Sequence, residues 1–151
     1  EWLRILDPDL KKIQFTKSAY EGKHRGIYLF GEGSTPLSLA EQGDGFRRVL
    51  EIAIATHCAE HTVLIDELEL GIHFSALKPV WNALLTIARQ QGLQFFVTTH
   101  SLDCLRALAQ VAAGPDAGLV RAFRLRDGGR HVVSYTGEEL LAAVATEAEI
   151  R

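Results

Sequence analysis

The chain has 151 residues, 47% of them hydrophobic and 23% charged, with a formal net charge of -3 and a pI near 6.1. That composition suits one globular domain with a sizeable core and gives no reason to expect a second. It excludes a general basic footprint, so any nucleic-acid contact would need a local patch or a region outside the chain. No apolar stretch approaches the roughly 20 residues that span a bilayer, and the N-terminus lacks the charged and apolar regions of a signal peptide. Cys58 and Cys104 stand in unrelated contexts, with neither metal-type spacing nor a disulfide framework. A cytoplasmic protein of a reducing compartment, with no membrane partner, is the expectation. The absence of methionine and the start at Glu1 suggest a piece of a longer product.

In chain order, Asp7-Pro8-Asp9 marks a turn, and Ile13 and Phe15 alternate with polar neighbours as a short strand. Ile27-Tyr28-Leu29-Phe30 reads as a second strand, followed by the loop formers Gly31 to Pro36. Phe46, Val49, Leu50, Ala53 and Ile54 recur at helical spacing, predicting a helix from about Asp44 to the Cys58 region that opens on Gly43-Asp44-Gly45. Thr62 to Ile65 is an apolar strand. Leu77, Val80, Trp81, Leu84, Leu85 and Ala88 then predict an amphipathic helix with Pro79 near its first turn and Gly92 closing it. Gln94 to Thr99 is the next strand, and Leu102, Leu105, Leu108, Ala109 and Ala112 form a helical stripe that Gly114-Pro115 stops. Leu119 to Arg126 and His131 to Tyr135 flank Asp127-Gly128-Gly129 as a hairpin, and Gly137 to Glu147 reads as a terminal helix. Alternating strands and helices through the middle imply an α/β fold with a parallel sheet and flanking helices.

Two of these strands deliver polar groups at their carboxyl ends, where ligands bind in open α/β sheets. Thr62 to Ile65 ends in Asp66-Glu67, and Phe95 to Thr99 ends in His100-Ser101. Consecutive carboxylates on an extended segment diverge, so the pair has separate roles rather than forming a dyad. In phosphoryl transfer to water one carboxylate holds magnesium and a neighbour orients or deprotonates the water, roles that suit Asp66 and Glu67 in that order. The same pair can also simply begin a surface loop. His100 is placed to donate a hydrogen bond to a terminal phosphate, or to serve as a loop residue, and Ser101 to cap the following helix. His100, Ser101 and Asp103 lie too close in sequence to form a nucleophilic triad, which excludes a serine hydrolase. Gly43-Asp44-Gly45 offers bare amides at a helix start, suited to an anion or to an ordinary N-cap. Arg47 and Arg48 one turn on add positive charge, or are solvated arginines of a helix face. His57-Cys58-Ala59-Glu60-His61 matches a His-x-x-Glu-His metalloprotease pattern and would bind zinc through His57 and His61. It needs a continuous helix where the chain must turn into the Thr62 strand.

Together these motifs resemble the C-terminal half of an ABC-type ATPase domain, and more narrowly the AAA-type, ABC-related ATPases of the overcoming-lysogenization-defect and RecF-like group. The likeness spans residues 37–103: Leu37 to Arg48 as the signature region, Thr62 to Glu67 as Walker B, Glu69 to His73 as the D-loop region and Thr98 to Ser101 as the switch-histidine loop. Leu6-Asp7-Pro8 and Glu149-Ile150-Arg151 resemble that half's flanks more weakly. The resemblance implies a P-loop NTPase-like fold, with ATP and Mg2+ as cofactors. It implies that Asp66 supports magnesium, Glu67 polarises the hydrolytic water and His100 touches the terminal phosphate. Gly43, Asp44, Gly45 and Arg48, with Gly71 and His73 of the D-loop, would face a nucleotide held by the opposite subunit of a homodimer. Relatives act in DNA processing and phage defence, so nucleic acid enters by family analogy alone.

The sequence departs from the pattern in three places. Gly43 stands where many relatives have the signature serine, and the D-loop carries His73 in place of the transporters' aspartate. No Gly-x-x-x-x-Gly-Lys-Ser/Thr occurs, and neither Gly22-Lys23-His24 nor Gly31 to Thr35 substitutes for it. The Walker A half of the same protein is therefore an expected partner, and the chain alone is expected to bind ATP poorly. The alternative from another class is a non-catalytic α/β interaction module that keeps the fold without the phosphate loop.

Overall fold

The computed structural model describes residues 2–16, 26–32, 35–113 and 116–146, which form two compact units. Expectations for Gly22-Lys23-His24, Gly33-Ser34, Gly114-Pro115, Glu147 and Glu149-Ile150-Arg151 lie outside the described residues.

The first unit spans residues 2–58 and recruits Leu70–Ile72. A 3-10 turn over Trp2–Ile5 leads into β1 (Leu10–Thr16), which pairs antiparallel with β2 (Gly26–Gly31). A two-residue strand, β3 (Leu37–Ser38), pairs antiparallel with β2 on its other edge. The Ile27 to Phe30 strand therefore joins an antiparallel sheet and not the parallel one. The reason is the short return through β3, which supplies β2 with a close antiparallel neighbour. Ser38 and Glu41 then form a capping box that starts the next 3-10 turn.

Helix α1 runs Asp44–Cys58, as its spacing predicts. Its buried stripe is Phe46, Val49, Ile52 and Thr56, whereas Leu50 and Ala53 are half-buried and Ile54 is exposed. Leu50, Ala53 and Ile54 instead line an open groove of about 460 Å³ with Trp2, Leu3 and Leu10. Thr56 can be buried because its hydroxyl donates to the Ile52 carbonyl at 2.7 Å, which satisfies it within its own helix.

The second unit comprises residues 59–69 and 73–146 of the described chain. Strands β4 (Thr62–Ile65) and β5 (Gln94–Val97) are parallel and in register from Thr62 opposite Gln94 to Ile65 opposite Val97. Val63 and Ile65 are buried on one face, while Leu64 and Phe96 pair on the other and are 77% and 54% exposed. The crossover helix α2 (Phe74–Gln91) buries Leu77, Val80, Trp81, Leu84 and Leu85, each large aliphatic side chain contributing about 1.5–3 kcal/mol. Pro79 falls in the second turn and not the first, because His73 caps the helix and starts it earlier. The proline removes one N–H that would have bonded the Ser75 carbonyl. Gly92 closes α2 in the left-handed conformation, φ 68°.

Helix α3 (Leu102–Val111) packs on α2, and the Trp81 indole N–H donates to the Cys104 carbonyl at 3.1 Å. The predicted hairpin is present as β6 (Arg121–Arg126) and β7 (His131–Thr136), joined through Asp127, Gly128 and Gly129, all at positive φ. Helix α4 (Gly137–Ala145) follows behind a Thr136–Glu139 capping box. No helix among the described residues is long and apolar enough to cross a membrane, and both cysteines are free thiols.

Candidate functional site

Because β4 and β5 are parallel and end level, Asp66 and Thr98 open adjacent loops. The ladder continues past the strands: Thr98 N–H donates to the Ile65 carbonyl at 2.9 Å, and Leu68 N–H donates to the Thr98 carbonyl at 3.1 Å. Residues 66–68 are thus wrapped around Thr98. Its hydroxyl donates to Asp66 Oδ1 at 2.5 Å and accepts from the Glu67 N–H at 2.9 Å. A hydroxyl has one proton, and here it goes to the carboxylate, which fixes the direction of both bonds. The Asp66 and Glu67 side chains stand in solvent at the rim of this corner.

Glu67 has φ 46°, the left-handed region that an L residue enters at a cost of about 1–2 kcal/mol. The cost is offset by the Thr98 bond to its amide and by the burial of Leu68, which is 0% exposed.

A second tie runs in the opposite direction. Glu69, three residues past Asp66, accepts the His100 backbone N–H on Oε1 at 2.9 Å. Its Oε2 is buried with no partner at hydrogen-bond geometry. Burial disfavours the ionised carboxyl, but the Thr99 hydroxyl dipole and the amides of Glu69, His100 and Ser101 outweigh it, holding Glu69 below the usual glutamate range. Thr99 Oγ1 accepts from Ser101 N–H at 3.1 Å, and Ser101 Oγ accepts from Cys104 N–H at 3.2 Å, the N-cap expected of that serine. His100 itself is exposed at the start of this loop. Burial pushes the Cys104 thiol up, so it behaves as an inert core residue.

Gly43, Asp44, Gly45 and Arg48 belong to the first unit. Asp44 is the first residue of α1 and Arg48 pairs with Glu51 at 3.7 Å on the helix face. A Cβ at Gly45 would lie 2.6 Å from the Gly71 carbonyl oxygen, whereas a Cβ at Gly43 would meet nothing within 4 Å. Gly71 has φ 74° and packs against Asp44 and Gly45, so the start of α1 and Gly71 touch within this unit. His73 caps α2: its Nδ1 accepts Ser75 N–H at 3.4 Å and lies 2.8 Å from Ser75 Oγ.

The zinc reading through His57 and His61 is overturned. Helix α1 ends at Cys58 and residues 59–61 bend into β4, so the pattern never forms the helical turn that aligns two ligands. Among the described residues no three His, Cys, Asp or Glu side chains are grouped to hold a metal ion. Sequence reasoning placed Thr98 in the switch-histidine loop and Glu69 in the D-loop region but gave neither a role of its own. The signal was present in the doubled acid Asp66-Glu67-Leu68-Glu69 and the doubled hydroxyl Thr98-Thr99, which the parallel register brings level.

The profile of the family described as "AAA domain, putative AbiEii toxin, Type IV TA system" matches residues 2–106. The chain belongs to this AAA family. An ATP/GTP phosphatase of Helicobacter pylori is 33% identical to the AAA chain over 147 residues, covering 91% of it and 38% of the relative. The DNA repair protein RecN of Mycobacterium leprae is 31% identical over 125 residues, 81% of this chain and 19% of that protein. The AAA chain thus spans well under half the length of these two relatives.

Among solved structures, one concerned with ATP-driven dimerization and DNA-stimulated activation of SMC ATPases superposes with a TM-score of 0.64. It is 15% identical and covers 97% of this chain and 86% of its own. The Pyrococcus furiosus Smc head domain with an extended coiled coil, bound to the C-terminal domain of ScpA, gives a TM-score of 0.58 at 15% identity, with 98% and 36% covered. At that identity the likeness shows the fold alone: the AAA chain shares the α/β, P-loop NTPase-like fold of these SMC head domains.

Proposed function

We propose that this AAA chain is the hydrolytic C-terminal portion of an ATP-hydrolysing domain of the overcoming-lysogenization-defect and RecF-like kind. The observation that carries the reading is the corner at the carboxyl ends of β4 and β5, where one Thr98 hydroxyl fixes both the Asp66 carboxylate and the Glu67 backbone. Such a corner holds one carboxylate by its oxygen and the next residue by its backbone, so that two exposed acidic groups leave it at separate positions, which suits the division of labour in phosphoryl transfer to water.

Asp66 fits a magnesium ion by the chemistry of its donor set. Magnesium is commonly held by one or two carboxylates, substrate phosphates and waters rather than by an all-protein cage, and no such cage exists among the described residues. The ion, arriving with ATP, would neutralise charge on the phosphate oxygens. Asp66 would hold it, Glu67 would orient and accept a proton from the attacking water, and the His100 imidazole would donate to the terminal phosphate. Gly43, Asp44, Gly45 and Arg48, with Gly71 and His73, would face nucleotide on the opposite subunit of a homodimer. The phosphate cradle itself would come from the Walker A half of the protein, since no such motif occurs in these residues.

The test is Glu67→Gln in the full-length protein carrying that half. Turnover is expected to fall by about 10²-fold or more while ATP binding is retained. Unchanged turnover would overturn the reading and favour the interaction module.

A further inference from the structure

We infer that Glu69 is a positioning residue for His100, coupling the segment that follows Asp66-Glu67 to the loop that carries the imidazole. The inference rests on the hydrolytic reading above. The two loops at the ends of β4 and β5 exchange one tie each: Thr98 reaches across to Asp66 and Glu67, and Glu69 reaches back to His100. The first tie sets the Asp66 carboxylate and the Glu67 backbone. The second acts on the backbone of the residue whose side chain would meet the terminal phosphate.

Three observations separate Glu69 from an ordinary loop glutamate. It is half-buried where Asp66 and Glu67 are exposed, and its Oε2 is buried, so the carboxyl is built into the corner and not into solvent. Its Oε1 accepts from His100 N–H at 2.9 Å across 31 residues of sequence, so it fixes a nonlocal relationship and not a local turn. The loop it holds is fixed from the other side by Ser101, which caps α3. Residue 100 is therefore clamped between a carboxylate from the β4 side and a helix cap from the α3 side. Removing the carboxylate releases one side of that clamp. The His100 side chain then has more positions open to it, and a displacement of order 1 Å at a phosphate contact is enough to slow a phosphoryl transfer.

The experiment uses the full-length protein and single-turnover ATP hydrolysis, which resolves low residual rates. Glu69→Met, close in size but without an acceptor, is expected to lower the rate constant about tenfold with the KM for ATP within about twofold. Glu69→Gln, whose amide oxygen can accept the same N–H, is expected to restore the rate to within about threefold. In a His100→Ala background Glu69→Met is expected to cost nothing further, because the group it positions is gone. Additive losses in the double variant, a Glu69→Gln protein as slow as Glu69→Met, or an unfolded Glu69→Met protein by thermal melting would each overturn the inference in favour of a purely structural role. Failure of the underlying reading is separate: there Glu67→Gln keeps its turnover. If Glu67→Gln loses turnover while Glu69→Met keeps it, only the positioning role falls.

Discussion

The corner after β4 and the start of α1 are both glycine- or acid-marked turns, yet the chain treats them differently. At the β4 corner the two loops are fastened to each other: Thr98 holds the Asp66 carboxylate and the Glu67 amide, and Glu69 holds the His100 amide. At the α1 start only one of the two glycines is constrained, since Gly45 abuts the Gly71 carbonyl and Gly43 has open space around its Cα. One region is organised by the chain itself. The other keeps a glycine for which the fold has no packing use, and under the proposed function that glycine leaves room for a nucleotide on the opposite subunit.

The sharpest way to break this contrast is Gly45→Ala. Its Cβ would sit 2.6 Å from a backbone oxygen that no rotamer change can move, so a loss of about 1–3 kcal/mol in denaturant unfolding is expected although alanine is the better helix former. Thr98→Val comes next. It strips the Glu67 amide of its acceptor and Asp66 of its donor at nearly constant volume, for an expected loss of about 1–2 kcal/mol and a fall in ATP turnover of the full-length protein.

A smaller effect is expected from acid. Glu69, held down against burial by the Thr99 hydroxyl and nearby amides, and Glu139, held down by the Thr136 amide and hydroxyl, both have folded-state pKa values below their unfolded ones. Their stabilisation is complete above the unfolded value and is lost as pH falls through the folded one. Stability should decline below the ordinary glutamate range, with a shallower decline in Glu69→Gln and Glu139→Gln. The smallest effect is Gly43→Ala, within about 0.5 kcal/mol of the parent; a loss comparable to Gly45→Ala would erase the contrast between the two glycines.

Local chemistry made much of this fold legible in the residues. The limits of α1 followed from Gly43-Asp44-Gly45 and a regular apolar spacing, the end of α2 from Gly92, and the hairpin from Asp127-Gly128-Gly129. The α1 stripe was only partly legible. Leu50, Ala53 and Ile54 satisfy the same helical period as the buried set, and which side is covered depends on neighbours that no periodicity records. Strand β3 was missed because two residues carry no alternation to read. At the candidate site, Asp66, Glu67 and His100 were visible as polar residues ending apolar runs. Thr98 and Glu69 were legible only as members of the switch-histidine loop and the D-loop region, because their ties come from the parallel register that sets residue 66 beside residue 98, a relationship across about thirty positions of chain.

The left-handed backbone at Glu67 sets stability against activity at a single position. Glycine there would relax the backbone by up to about 1 kcal/mol, so the substitution that best suits the fold is one that deletes the proposed water-orienting carboxylate. Mutation under selection for stability alone would drift toward glycine at this site. Under the proposed function, a glutamate retained against that drift is retained for its carboxylate, and the identity of residue 67 in a related chain then indicates whether that role is kept.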